Sequence, residues 1–403
     1  MRLGVDCVKC KGRLLCGLPR CPILEKINFR KELKLNKEFK SETPGVFIGW
    51  HGYPNVFAGL LTPVNKSDKQ GPRQWVNDNA SIIDVMNYRT NILNSRSKVL
   101  IKELKGFNEL IQGSALSNKP LSIDVSLKKV PKLKIAFNIH SQPLGPSGEV
   151  NKVVLNENPK MRKPVQKAYY DTDLKASDAI ITLKNNKIEE YEISNLLSAG
   201  TLGQGKTRRL VPTRWSITAT DDTLGKEYIK KLRNNEIIDN YLIFHGNYLG
   251  NIFTIMLLPR FWSYELFEMW MPGAIFSGKQ TQVMTDDEGF NGRKKYASNT
   301  GGGYYASRLP ITEWLMTKGL QASVLVIRQI TKDYYMPLGV WVVREAVKKS
   351  LTNMKVFNDY SQAKNYVERV TGFDLRKSKL IKEKQTTLNS FLNRYHVPTN
   401  NSG

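Results

Sequence analysis

The chain has 403 residues, with 61 Lys or Arg against 36 Asp or Glu, for a formal net charge of +25. That length accommodates two globular units, or one large unit with appendages, and 40% apolar content is enough for a sizeable core. The longest apolar run, residues 252–258, stops at Pro259-Arg260, far short of the ~20 residues of a membrane-spanning helix.

The basic excess creates a field suited to polyanions such as nucleic acid, although charge also serves solubility. The amino terminus lacks a signal-peptide pattern, because Cys7 and Cys10 stand where an apolar run should lie, and a cytoplasmic location is expected.

All four cysteines fall at the start: Cys7-x-x-Cys10, Cys16 and Cys21. Their absence elsewhere argues against a disulfide-stapled secreted protein. Zinc takes four soft ligands in a tetrahedron, and a Cys-x-x-Cys turn supplies two of them. Gly12 and Gly17-Leu18-Pro19 provide turn residues for both chain reversals. So short a segment cannot bury a core, so a metal would have to fold it. A redox pair, an iron–sulfur cluster or free thiols are the alternatives. No other redox signature accompanies the cysteines, which favours one zinc ion, structural because four thiolates close its coordination sphere.

Residues 25–40 are charged, with scattered apolar positions, and read as a connector or surface segment. The stretch Pro44 through Val56 mixes short apolar runs with glycines and predicts buried strands joined by tight turns. Residues 81–116 read as helical, starting near Ser81 and Asp84, and 133–139 as a strand ending at His140. Residues 216–220, 241–245, 252–258 and 324–327 read as strands, and 340–351 and 361–370 as helices. The class is therefore α+β: a mixed strand-rich core with peripheral helices, between a short N-terminal zinc-binding segment and a flexible C-terminal tail.

Residues 200–207, Gly-Thr-Leu-Gly-Gln-Gly-Lys-Thr, match the Walker A pattern. A phosphate loop needs a strand leading in and a helix leading out. Here the preceding residues have helical periodicity, and Pro212 stands where the second helical turn should be, so a flexible basic loop is the better reading.

The densest polar cluster spans residues 208–223. Arg208, Arg209 and Arg214 beside Trp215 can hold phosphates and stack on a base. Asp221 and Asp222 suit a divalent metal, but on an extended strand only one would face a given site, and a strand end capped by solvated aspartates competes with that reading. Asp171 and Asp173 share a face if extended, which suits a metal or merely a turn. Gly301, Gly302 and Gly303, with Tyr304, Tyr305 and Arg308, read as a glycine-rich loop allowing close backbone approach to a ligand or another strand. His140 and His245, at strand ends, are candidate acid–base groups beside a structural alternative.

Near the end, Leu388, Phe391 and Leu392 converge on one face of a helical turn, with Gln385 at its entrance. Docking such a plug into a groove is a recurrent recognition mode. The pattern resembles the motif by which DNA-processing proteins bind the replication clamp, PCNA. The alternative is a terminal amphipathic helix folding back on its own core. A charged run before it and a polar end after it read as a tether and favour the clamp.

Several strings together resemble the archaeal Nre family: the four cysteines, Gly52-Tyr53-Pro54-Asn55-Val56, Asp171-Thr172-Asp173-Leu174-Lys175-Ala176, residues 209–218, Gly301-Gly302-Gly303-Tyr304-Tyr305, and the tail motif. They cover nearly the whole chain, and Arg-Leu-Val-Pro-Thr-Arg-Trp-Ser is the specific one. The resemblance implies a DNA-damage-response protein with a zinc-binding segment at 1–24, an N-terminal family core at 25–295, a C-terminal family region at 296–374 and a clamp-binding tail at 375–403. It also implies cooperation with excision repair proteins, and supplies no catalytic mechanism. The first reading is thus an accessory repair factor that binds DNA and PCNA. The rivals are an enzyme acting on nucleic acid or a modified nucleotide, with a pocket of His140, Asp171, Asp173, Arg214, Asp221 and the glycines 301–303, and a scaffold whose charge only keeps it soluble.

Overall fold

The computed structural model describes residues 10, 12–15, 20–31, 33–64, 71–131, 145–274, 277 and 280–382. Cys7, Cys16, the strand expected at 133–139, His140 and the motif at 385–392 lie outside these residues.

In the first half, strands β1 (Glu38–Thr43), β2 (Gly45–Ile48), β3 (Asn55–Pro63), β4 (Ile92–Leu100), β5 (Leu121–Leu127) and β6 (Ser147–Leu155) form one sheet in the order β1-β5-β6-β4-β3-β2. All neighbours are antiparallel except β4 and β6. Strand β5 alternates buried and half-buried residues, as expected of a sheet with one packed face. Helices α1 (Pro22–Lys31), α2 (Pro72–Asn77), α3 (Ile82–Thr90) and α4 (Phe107–Leu116) intervene, and α4 packs Ile111 and Ala115 onto that face. Helices α5 (Lys163–Tyr170), α6 (Ala176–Asn185) and α7 (Glu190–Ser198) gather around Ile180, Leu183, Ile193 and Leu196, and the 20-residue α8 (Thr213–Leu232) adds Leu224 to that cluster.

In the second half, β7 (Glu236–Ile237) precedes β8 (Tyr241–Tyr248), β9 (Asn251–Leu258), β10 (Ser263–Trp270) and β11 (Gln282–Glu288). After α9 (Gly302–Lys318) come β12 (Leu320–Gln321), β13 (Ser323–Ile330), α10 (Trp341–Ser350), β14 (Met354–Phe357), α11 (Tyr360–Thr371) and α12 (Lys379–Lys382). The second sheet runs β11-β10-β13-β9-β8-β14, with β10 and β13 parallel, and β7 pairs with β12 apart from it. One face, with Phe253, Ile255, Leu257, Val324 and Val326, meets the helical layer that contains α9 and α10. The other, with Met256, Leu258, Leu325 and Ile327, is covered by α11 and residues 373–380. Burial on both faces explains the unbroken apolar runs of β9 and β13. Strand β13 inserts between β10 and β9, so strands from both sides of residue 295 share this sheet.

The mixed α+β class holds, and the expected strands at 241–245, 252–258 and 324–327 and helices at 340–351 and 361–370 fall on observed elements. Four local expectations need correction. Residues 81–116 are not one helix: α3 starts at the Ser81/Asp84 capping box, but the chain then forms β4, paired along its whole length with β3. Residues 216–220 are the interior of α8, where Ser216, Thr220 and Leu224 recur at helical spacing on a buried face. The glycine-rich segment is a loop only up to its N-cap, Gly301, and Gly302 and Gly303 open α9. Residues 25–40 carry most of α1 and the start of β1.

The C-terminal arm is fixed to the second sheet by one carboxylate. Glu265, 1% exposed on β10, accepts from Ser378 Oγ and from the backbone N–H groups of Lys379 (3.1 Å) and Leu380 (3.4 Å). Arg260 donates to the Leu380 carbonyl (2.7 Å), and Lys379 pairs with Asp287. Glu265→Ala strands these donors and is expected to cost about 1–3 kcal/mol. Hydrogen exchange should show the loss as faster exchange at residues 378–382, with β9 and β13 unchanged.

Candidate nucleic-acid interface

The start of α8 is held from three sides. Thr213 Oγ1 accepts from the Ile48 N–H (2.9 Å) and shares a hydrogen bond with Ser198 Oγ (3.1 Å). Two residues earlier, the Val211 N–H donates to the Ser198 carbonyl, and the Leu210 N–H to the Ile101 carbonyl, with Leu210 buried. So constrained, the first helical turn leaves Arg214 and Trp215 exposed. The connection between β2 and β3 meets them with Trp50, His51 and Tyr53, also exposed. The Arg214 guanidinium lies 5.3 Å from the Trp50 ring centroid, Trp215 lies 5.2 Å from Tyr53, and Trp50 stacks on His51 at 3.8 Å.

The third wall comes from the turn before α9. Asp286 accepts from the N–H groups of Asn299 (3.0 Å) and Thr300 (2.8 Å), from Thr300 Oγ1 (2.9 Å) and from Arg293 (3.1 Å), which fixes this turn against β11. Tyr296 stacks on Tyr305 and stays exposed, near enough to feel the Arg214 charge. Burial and Tyr305 push its phenol up, while Arg214 pulls it back. A Cβ on Gly301 would lie 3.6 Å from the Tyr296 hydroxyl, and one on Gly302 would lie 3.6 Å from Thr218 Oγ1, one turn after Arg214. A Cβ on Gly303 would sit 2.5 Å from Glu268 Oε1, so glycine is required there for α9 to close on β10.

Beneath this surface, charges are buried in pairs. Arg308, with none of its side chain exposed, binds Glu288 (2.7 Å) and Asp222 (2.6 Å), and α8 approaches closely enough that a Gly225 Cβ would lie 3.2 Å from that guanidinium. Arg344 binds Asp221 and lies 4.6 Å from the Tyr191 ring centroid. Burial opposes the Asp221 charge and pushes its carboxyl up, against the pull of Arg344. Glu190 takes Lys348 (2.6 Å) and Lys184 (3.1 Å). Burial alone would raise its carboxyl, but Lys348, Arg344 and Lys184 together hold it well below the usual range.

Of the residues singled out from sequence, Arg214, Trp215 and the glycines 301–303 come together. Arg208 does other work: it donates to the carbonyls of Gly203 (2.7 Å), Tyr169 (2.7 Å) and Asp171 (3.0 Å), closing the end of α5. Arg209 is exposed beside buried Leu210. Asp171 accepts from the N–H groups of Asp173 and Leu174, so it serves its own turn, and both carboxylates are exposed. Asp221 is fully buried in a helix, not solvated at a strand end. His245, half-buried, bonds Thr254 Oγ1 at 3.0 Å. The Walker-like residues are entered by helix α7 and left by an extended stretch before α8.

Among the described residues, no three His, Cys, Asp or Glu side chains gather as a metal site. Of the four cysteines, Cys10 is buried and Cys21 half-buried, both as free thiols. The Arg13 N–H closes a turn on the Cys10 carbonyl (3.0 Å), with Gly12 in the left-handed region at φ +82°. No motif in the sequence marks Trp50, Tyr53 and Tyr296 as binding residues, although Tyr53 falls in one of the family strings. Their available signal was aromatics placed inside turn sequence, where no core claims them.

The chain matches the family described as Archaeal Nre, N-terminal, over residues 15–277, and Archaeal Nre, C-terminal, over residues 288–391. It is 36% identical to DNA repair protein NreA of Archaeoglobus fulgidus, over 96% of this chain and 99% of that one. Identity is 35% to DNA repair protein NreB of the same organism, over 96% and 100% of the two chains. With DNA repair protein NreA of Haloferax volcanii it is 34%, over 79% of each. No solved structure matches. With both family regions matched in order along nearly its whole length, the chain belongs to the archaeal Nre family.

Proposed function

We propose that the protein is a DNA repair factor that binds DNA through its basic surface and is held at repair sites by the PCNA sliding clamp, acting in the DNA damage response. The names of its relatives support the repair role. The exposed Arg214–Trp215 surface, open to a polyanion, carries the DNA-binding part. The clamp part rests on Gln385, Leu388, Phe391 and Leu392, which follow in sequence the arm that Glu265 anchors. Excision repair proteins are further partners on this reading.

Cys7, Cys10, Cys16 and Cys21 would hold one zinc ion, whose role would be to crosslink a segment without a core of its own. The rival catalytic pocket lacks comparable support, because Asp171 is committed to its turn and Asp221 to Arg344. Phe391→Ala removes the central prong of the plug and is expected to weaken PCNA binding by at least about 30-fold without lowering the melting temperature. Calorimetric titration against the clamp checks it, and unchanged affinity refutes the tail's role.

A further inference from the structure

We infer that the surface around Arg214 recognises unpaired nucleotides, the stacked bases of single-stranded or gapped DNA, through Trp50, Tyr53, Trp215 and Tyr296. This rests on the DNA-binding reading above and names the form of DNA that the site takes.

Trp50, Tyr53, Trp215 and Tyr296 are 42, 44, 43 and 57% exposed, and they come from three distant stretches of chain. A single exposed aromatic needs no explanation, whereas a cluster assembled by the fold marks a binding surface. These rings belong to no hydrophobic core cluster, so packing does not account for them.

The Ile101 N–H donates to the Pro54 carbonyl and the Leu210 N–H to the Ile101 carbonyl, so the segments that carry the exposed Lys102 and Arg209 join the segment that carries Tyr53. Lys294 and Lys295, also exposed, immediately precede Tyr296. Among the described residues, none of Lys102, Arg209, Arg214, Lys294 and Lys295 is paired with a carboxylate, although many other lysines and arginines are. Arg214 lies against the Trp50 ring and the other unpaired cations adjoin the aromatic segments along the chain or across these backbone hydrogen bonds, an arrangement complementary to a chain of phosphates carrying bases.

In a duplex the base faces are already covered by neighbouring bases, so an aromatic ring can reach only backbone and groove edges. An unpaired base offers its face, and each base–aromatic stack contributes substantially whatever the sequence. Rings ranged around a cation therefore favour single strands, while lysines without rings would favour neither form.

The test uses the full chain, and fluorescence anisotropy with a labelled oligo-dT, a duplex carrying a single-stranded gap, and the same duplex without the gap, at one fixed salt concentration. The parent protein should bind oligo-dT and the gapped duplex more tightly than the continuous duplex. Trp215→Ala and Trp50→Ala should each weaken binding to unpaired DNA about tenfold, weaken the continuous duplex several-fold less, and keep the parent melting temperature. Tryptophan emission should be quenched by oligo-dT in the parent and not in the double variant. Equal loss on all three DNAs, or no loss on any, overturns the stacking inference and leaves the DNA-binding reading standing. Failure of the parent to bind any of the three DNAs overturns both.

Discussion

Arg308→Met is expected to lower the unfolding free energy by about 3–5 kcal/mol, the cost of leaving a buried ionic partner uncompensated. Neither Arg308 nor Glu288 exposes any of its side chain, and Asp222 joins them from α8 with a quarter of its side chain exposed. Burial opposes the Arg308 charge, but Glu288, Tyr304 and Asp222 hold its proton more firmly than water would. Methionine preserves much of the volume and removes both ionic contacts, so the loss reports charge rather than a cavity. Arg308→Lys keeps the charge but not the fork that reaches two carboxylates at once, and should fall between methionine and the parent. Urea denaturation of the three proteins checks the order. The Arg308–Asp222 pair also locks α8 to α9, the two helices whose starts present Arg214 and the glycines. Loss of Arg308 should therefore weaken DNA binding, although that residue lies below the surface.

How far the sequence revealed this arrangement depended on whether local pattern and tertiary context agreed. They agree in β9 and β13, where apolar runs are buried on both faces, and in α3, whose start is written in Ser81 and Asp84. They disagree in α8. Ser216-Ile217-Thr218-Ala219-Thr220 has the β-branched content of a strand, yet the buried contacts of Ser216, Thr220 and Leu224 fall on a helical face. That single difference changed the chemistry assigned to Asp221 and Asp222. On a strand they would point apart into solvent or toward a metal. On the helix they point to two different buried arginines, Arg344 and Arg308, contributed by α10 and α9 far along the chain. The candidate site was half legible for a similar reason. Arg214, Trp215 and the glycines stood out as unusual strings, whereas Trp50, Tyr53 and Tyr296 acquire meaning only when the fold sets them beside Arg214.

Asp221 gives the second large effect, because sequence made it a candidate for chemistry and its surroundings make it structural. Asp221 is 0% and Arg344 1% exposed, and Tyr191, whose hydroxyl donates to Glu345 at 2.7 Å, lies over the same guanidinium. Asp221→Leu leaves Arg344 charged in the interior, with Glu190 as a remaining counterion, and should cost about 3–5 kcal/mol. Arg344→Met strands the carboxylate instead and should cost a similar amount. Asp221→Leu combined with Arg344→Met removes both charges and fills the space with apolar atoms. Its stability should return to within about 1–2 kcal/mol of the parent, giving a large favourable coupling in the double-mutant cycle. A carboxylate kept for chemistry would behave in the opposite way. Its replacement would leave stability unchanged or raise it, and pairing that change with Arg344→Met would rescue nothing. Denaturation midpoints of the four proteins decide between the two, and DNA affinity measured on the double variant separates a lost fold from a lost function.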